Sequence, residues 1–240
     1  KGVMITHRNA YMNVVGTLVH WPMTCADRYL WTLPMFHANG WTFVWIVTAV
    51  GGTHVCLRTV DPILAFRLMR EESITHMCAA PTVLIMLASA PPKARGEVQR
   101  GVKVMTAGAP PAAATIQRVE GDFGWNLLHV YGLTETAPFI TVCEPRPHHA
   151  ECTPAEQAVI KARQGVELIT SGELRVVDEG GQEVPRDAST LGEIVVRGNV
   201  VMESDEEFGT SGVMTLPFKA NDKIILRYVL NNGGTPLDAR

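Results

Sequence analysis

The chain is short of charge. Only 19% of its 240 residues are Asp, Glu, Lys or Arg, and the formal net charge is −3. No basic excess offers a surface to nucleic acid or to an anionic membrane, so neither is expected as a partner. Long apolar runs are missing too. The longest, Trp41 to Val50, is interrupted by Thr42 and Thr48 and falls well short of the roughly 18 residues that suggest a membrane span. No signal peptide is visible. The chain opens Lys1-Gly2-Val3-Met4, inside what reads as folded sequence, and the missing initiator methionine points to residues upstream. There is no internal repeat and no low-complexity tract. The five cysteines (Cys25, Cys56, Cys78, Cys143, Cys152) form no CxxC pair. Their odd number and wide spacing fit a reducing, cytoplasmic compartment rather than a disulfide framework. His148-His149-Ala150-Glu151-Cys152 has metal-binding residue types, but no partner pair lies at zinc-site spacing, and Pro145 and Pro147 mark a polar surface loop.

What is present is alternation. Thr6 is a good helix cap, and a helical pattern follows to about Leu18. Tyr29 to Pro34 reads as a buried strand, Trp41 to Val50 as an apolar helix, and Thr53 to Leu57 as a strand after the Gly51-Gly52 break. Asp61-Pro62 opens a helix to about Glu72, Ile74 to Cys78 is a short strand, and Pro81 opens a helix to about Ala88. Pro91-Pro92-Lys93 marks a loop, Val102 to Thr106 a strand, Pro111 to Glu120 a helix, and Trp125 to Val130 a strand. Such alternation predicts crossover connections: an α/β fold, its mostly parallel sheet carrying helices on both faces. After Pro138 the pattern changes. Glu144 to Gln164 is polar and irregular. Gly172–Asp178 and Leu191–Arg197 then read as strands around Glu179-Gly180-Gly181-Gln182, which predicts a small β-rich, barrel-like subdomain. The expected division is an α/β unit over 1–140, a connecting and β-rich unit over 141–202, and a tail over 203–240 in which Ile224 to Leu230 could form a strand.

Three loops share one topological place, directly after a predicted strand: Met35-Phe36-His37-Ala38-Asn39-Gly40-Trp41, Ala107-Gly108-Ala109-Pro110-Pro111, and Tyr131-Gly132-Leu133-Thr134-Glu135-Thr136. Ligands of open parallel sheets bind outside the carboxyl ends of the strands, so these loops would build one pocket. The residue types suit a nucleotide. Gly108 and Gly132 allow backbone to approach a ligand, Tyr131 offers a flat face for a base, and Thr134 offers a hydroxyl to a phosphate oxygen. Glu135 offers a hard carboxylate for Mg²⁺ shared with phosphates, and His37 an imidazole beside an acyl group. Singly, each residue has a plainer reading: a core Tyr, a Thr-Glu helix turn, a structural His, an ordinary Gly-Ala-Pro turn. The ordered set is what carries weight.

That set resembles the adenylate-forming superfamily of acyl-CoA synthetases, luciferases and adenylation domains. The Tyr-Gly-x-Thr-Glu signature stands as Tyr131-Gly132-Leu133-Thr134-Glu135, the strand-end glycine loop as Ala107-Gly108-Ala109-Pro110, and the His loop as Leu33 to Trp41. Lys1-Gly2-Val3 followed by Thr6-His7-Arg8-Asn9 is similar to the end of the phosphate loop and its helix. Lys161 to Val166 and Gly192 to Gly198 are similar to the later connecting segment and barrel strands. The likeness runs from Lys1 to about Met202; it is most specific for the superfamily and, within it, less sharply for fatty or related acyl-CoA ligases.

The resemblance implies a two-step reaction using ATP, Mg²⁺ and CoA. A fatty or related carboxylic acid attacks the ATP α-phosphate, and the CoA thiol then attacks the acyl-adenylate. It assigns catalytic roles to His37, Thr134 and Glu135, and the metal to Glu135. Nucleotide contacts fall to Lys1, Gly108, Ala109, Pro110, Tyr131, Gly132 and Thr134. It also exposes gaps: the rest of the phosphate loop, the ribose-binding aspartate, and the hinge and C-terminal domain with its lysine have no counterpart here. The expectation is therefore an incomplete ligase, inactive as this chain alone. The alternatives are a non-catalytic module that binds adenylate or acyl-CoA, and an adenylating enzyme with another acceptor.

Overall fold

The structure, a computed structural model, describes residues 3–187, 189–202 and 224–226. Lys1 and Gly2 lie outside them. Helix α1 (His7–His20) starts where expected. The Thr6 hydroxyl accepts from the Asn9 backbone N–H at 3.2 Å, and the Asn9 side chain accepts from Thr6 N at 3.0 Å. This is a capping box with asparagine in the third helical position.

Five strands then pair in parallel: β1 (Arg28–Trp31), β2 (Thr53–Cys56), β3 (His76–Cys78), β4 (Lys103–Thr106) and β5 (Asn126–Gly132). Two more, β6 (Phe139–Cys143) and β7 (Val166–Glu167), extend the sheet antiparallel. The order is β2-β1-β3-β4-β5-β6-β7. The sheet thus continues past residue 140. Helices α2 (Ala38–Trp41) and α3 (Phe43–Ala49) follow β1, and α4 (Pro62–Glu71) precedes β3. Asp61 caps α4, its carboxylate accepting from Leu64 N at 2.8 Å with Pro62 in the first turn. After β3 come α5 (Pro81–Ser89) and α6 (Pro92–Arg95), after β4 comes α7 (Ala113–Phe123), and α8 (Pro154–Lys161) precedes β7.

Side chains that alternate along the strands feed two cores. Tyr29, Trp31, Cys78, Met105, Leu128 and Val130 face α1 and α3, meeting Val14, Phe43, Ile46 and Val47. Leu30, Met77, Val104 and Leu127 face the other helices, meeting Phe66, Met69, Leu84, Leu87, Ile116 and Phe123. A parallel sheet needs both faces covered, and this one has them.

The β-rich expectation holds as well. Strands β8 (Glu173–Val177), β9 (Glu193–Arg197) and β10 (Ile224–Leu226) form an antiparallel sheet in the order β10-β9-β8. Asp178 folds the turn after β8, its Oδ1 accepting from Gly180 N and Gln182 N at 2.9 Å each. Leu174, Ile194, Val196, Val200 and Val201 pack on Ile140 of β6, with Met12 of α1 against them. The small sheet is therefore sewn to the main one.

Some expectations need correcting. The Glu144–Gln164 stretch is not irregular throughout. Thr153 and Glu156 form a capping box that starts α8. Pro91-Pro92-Lys93 is the start of the four-residue helix α6. The predicted helix from Trp41 begins instead at Phe43, after an unusual turn described below. Of the strand predicted over Ile224–Leu230, residues 224–226 are β10, and residues 227–230 lie outside the described residues.

Candidate functional site

Because β1, β4 and β5 run in parallel, the loops that follow them leave the same edge of the sheet. At β1 and β3 the connections diverge: β1 leads to β2 on one side, and β3 leads to β4 on the other. Such a divergence is the usual ligand position of open sheets, and the His37 loop follows β1 directly at it. Trp41 joins the His37 loop to the Gly108 loop and to the start of β6. Its Cζ2 lies 3.8 Å from where a side chain on Gly108 would begin. Its ring meets Phe139 edge to face, at 6.3 Å and 75°.

The His37 loop is strained. Ala38, Asn39, Gly40, Trp41 and Thr42 all have positive φ, at 39°, 47°, 58°, 53° and 66°. They make one left-handed turn. For residues other than glycine this region costs about 1–2 kcal/mol each, so packing must hold it. Trp41 is buried. The benzo edge of Trp31 lies 2.5 Å from where a Gly40 Cβ would be, which admits only glycine there. Trp31 is itself fixed, its Nε1 donating to His54 Nδ1 at 2.9 Å. His37 is exposed at the entrance to the turn, and its carbonyl accepts from Gly40 N at 2.9 Å. Backbone strain of this kind gathers at functional sites.

Gly108, Ala109 and Pro110 are exposed at the end of β4, with Gly108 at φ 86°. Beside them, Tyr131 is half-buried against the cluster of Ile140 and Val200. Gly132 has no room for a side chain, since a Cβ would stand 1.8 Å from the Pro138 carbonyl oxygen. The next residues close into a tight ring. Leu133 N donates to Pro138 O at 3.0 Å and to the Thr136 hydroxyl at 2.9 Å. That hydroxyl donates in turn to the Pro138 carbonyl. The ring holds a 3₁₀ turn over Thr134–Thr136. Thr134 and Glu135 are half-buried on it.

No described residue donates to or pairs with the Thr134 or Glu135 side-chain oxygens, and no group of three or more His, Cys, Asp or Glu stands together among the described residues. A metal at Glu135 would therefore take most of its ligands from water and from the bound molecule's own oxygens. This is the habit of Mg²⁺ on nucleotide phosphates, and the donor set fits it. The sequence reading overlooked the supports of this loop. Asn13 of α1 donates to Phe139 O at 2.9 Å and approaches Thr136 O at 3.4 Å. The signal was a polar residue on the face that α1 buries.

Three loops at one strand-end edge of an open α/β sheet define a broad class, and comparison narrows it. Residues 1–204 match the family model described as AMP-binding enzyme. The chain belongs to the AMP-binding enzyme family. Among its relatives, probable acyl-activating enzyme 5, peroxisomal, of Arabidopsis thaliana is 45% identical over 206 residues, covering 84% of this chain and 36% of that protein. The 2-methylpropanoate–CoA ligase CCL4 of Humulus lupulus is 43% identical with the same coverage. The 4-hydroxybutyrate–CoA ligase 2 of Metallosphaera sedula is 44% identical, again with that coverage. This chain thus spans about a third of the curated relatives it matches, 36% of each of these. Among solved structures, o-succinylbenzoate CoA synthetase of Bacillus subtilis, in complex with ATP and magnesium ion, superposes with a TM-score of 0.69 at 23% identity, over 85% of this chain and 39% of that one. The N-terminal domain of FACL13 from Mycobacterium tuberculosis gives 0.70 at 23% identity, over 85% and 48%. Identity that low speaks for the fold alone.

Proposed function

We propose that this chain carries the nucleotide-binding edge of an acid–thiol ligase that activates a carboxylic acid with ATP and passes the acyl group to CoA. The observation that carries the reading is the Thr134–Glu135 turn. Two oxygen-bearing side chains, unpaired among the described residues, are held by a rigid ring on the edge where the other two loops emerge. In the first step a carboxylate oxygen attacks the ATP α-phosphorus, the bond to the β-phosphate oxygen breaks, and pyrophosphate leaves. In the second the CoA sulfur attacks the acyl carbon of the adenylate, AMP leaves, and the thiol proton passes to solvent.

Charge builds on phosphate oxygens in the first step, so preorganised donors supply most of the rate. Bound Mg²⁺ would neutralise that charge. Glu135 would hold the ion and Thr134 would donate to a phosphate oxygen. Tyr131 would face adenine, with Gly132 and the Gly108-Ala109-Pro110 loop bordering the nucleotide. His37 would stand beside the acid carboxylate at the crevice. Lys1 is assigned to phosphate on the resemblance alone, because it lies outside the described residues.

The acid is proposed to be fatty or a related carboxylic acid. Two of the relatives are named for 2-methylpropanoate and 4-hydroxybutyrate, which supports including short acids in the first panel. Among the described residues no helix is long and apolar enough to cross a membrane. All five cysteines are free, which supports the cytoplasm, whereas one relative is named as peroxisomal. The test is acid-dependent exchange of labelled pyrophosphate into ATP, followed by thioester formation with CoA. It is run on this chain and on a chain of the relatives' full length. The longer chain is expected to turn over and this one to do so barely. A full-length protein that catalyses neither step with any acid from acetate to palmitate refutes the proposal.

A further inference from the structure

Asn9 and Asn13 pose a problem that α1 does not explain by itself. Asparagine is a poor helix former, and a buried amide is costly unless hydrogen-bonded. Both residues are fully buried, and four positions apart they share one face of the helix. Apolar residues would suit that place better, unless the amides hold something.

What they hold is backbone carbonyls on the two segments that bracket Glu135. The Asn9 amide nitrogen donates to Asn199 O at 2.7 Å and to Val201 O at 2.8 Å. The next residue, Met202, donates its backbone N–H to the Glu135 carbonyl at 2.9 Å. From the other side, Asn13 donates to Phe139 O at 2.9 Å and reaches Thr136 O at 3.4 Å. The Asn13 carbonyl oxygen has no partner among the described residues, so this side chain serves as a donor. The Glu135 peptide is therefore gripped through Met202 by a segment that Asn9 sets, and through Thr136 by a carbonyl that Asn13 meets.

We infer that Asn9 and Asn13 are positioning residues for the Thr134–Glu135 turn, fixing where its hydroxyl and carboxylate stand relative to a nucleotide's phosphates and metal. The inference rests on the proposed nucleotide site. The asparagines touch no ligand; they act through the peptides at 135, 136, 139 and 201. Groups that orient a metal-binding side chain in this way are worth about 10–100-fold in metal affinity. A role in folding alone would weaken every ligand alike.

The test is a double-mutant cycle on this chain, with ATP·Mg²⁺ and adenosine as the two probes. Asn13→Ala is expected to weaken ATP·Mg²⁺ about tenfold, the lower end for a lost orienting partner, and adenosine less than about twofold. In a Glu135→Ala background the same substitution should cost less than about threefold on ATP·Mg²⁺, because groups that act through one another do not add. Should Asn13→Ala fail to fold, Asn9→Ala enters the same cycle, with the same discrimination expected. Equal losses for both probes, or full additivity with Glu135→Ala, overturn the inference while leaving the nucleotide site standing. Failure of the unaltered chain to bind ATP·Mg²⁺ at all would overturn the site and the inference together.

Discussion

Replacing Gly132 with alanine tests whether the turn is built as described. Strands β5 and β6 pass so close there that the new carbon would stand 1.8 Å from the Pro138 oxygen, 2.6 Å from its carbonyl carbon and 2.8 Å from the Phe139 Cα. All three atoms are backbone, so no rotamer change relieves the clash, and the strands must part by more than an ångström. Parting them breaks the 3.0 Å bond from Leu133 N to Pro138 O. One buried bond left unmade costs about 1–3 kcal/mol and overpacking about 1–3 kcal/mol, roughly 4 kcal/mol together. That is a large share of the roughly 5–15 kcal/mol of a typical domain. At about 2–4 °C per kcal/mol for a chain of this size, Tm should fall by roughly 10 °C. Gly121→Ala is the control. It lies within α7 with nothing within 4 Å of the added carbon, so it should gain about 0.5–1 kcal/mol. Urea and thermal unfolding of both variants decide the matter. A Gly132→Ala protein within about 1 kcal/mol of the parent would refute the close passage and the ring built on it.

Two further predictions concern stability. Burial pulls His76 down to about 4 from 6.5, and the Lys103 charge adds to this against the opposing pull of Asp27 and the Pro22 carbonyl. Between those pH values the unfolded chain binds a proton that the folded chain refuses. Stability is therefore intact above pH 6.5 and falls by about 3 kcal/mol as pH drops to 4. His129 is also shifted down by burial, despite its bonds to the Arg163 and Ala162 carbonyls, and steepens the same limb. His76→Gln should shrink the slope of stability near pH 5 by about 1.4 kcal/mol per pH unit, and an unchanged slope would contradict the assignment. Glu120 of α7 accepts from Lys161 at 2.5 Å and from Leu127 N at 3.0 Å, joining α7, α8 and β5. Glu120→Ala leaves a largely buried ammonium unpaired and should cost about 2–4 kcal/mol by urea unfolding; a loss below 1 kcal/mol would mean that solvent already screens the pair.

Local chemistry made much of this fold legible. The strands at 28–31, 53–56, 76–78, 103–106 and 126–132 stand close to their predicted places, because short β-rich runs bounded by caps, prolines and glycines leave few alternatives. Asp61-Pro62 announced α4 by its cap alone. Helix α8 was equally announced by Thr153-Pro154-Ala155-Glu156, a capping signal hidden in a polar stretch. The left-handed turn at Ala38–Thr42 was not legible. Ala38, Trp41 and Thr42 disfavour that backbone, and the buried Trp41 and the Trp31 ring against Gly40 are contacts that local propensity does not announce. Gly132 was read as room for a ligand, yet its own chain at Pro138 already forbids a side chain. What the asparagines of α1 bond was not legible, because their partners lie about 120 to 190 residues away. A polar residue on a buried helix face can be seen in sequence, but what it bonds cannot.

The central claim is that Thr134 and Glu135 hold the phosphates and the metal of ATP. Equilibrium binding of ATP with and without Mg²⁺, set beside adenosine, tests it on this chain and on Thr134→Ala with Glu135→Ala. The account predicts that Mg²⁺ tightens ATP binding in the parent, that the double substitution abolishes this gain, and that adenosine binds both proteins alike. Equal losses for ATP·Mg²⁺ and adenosine, or a Mg²⁺ effect that survives the substitution, would contradict it.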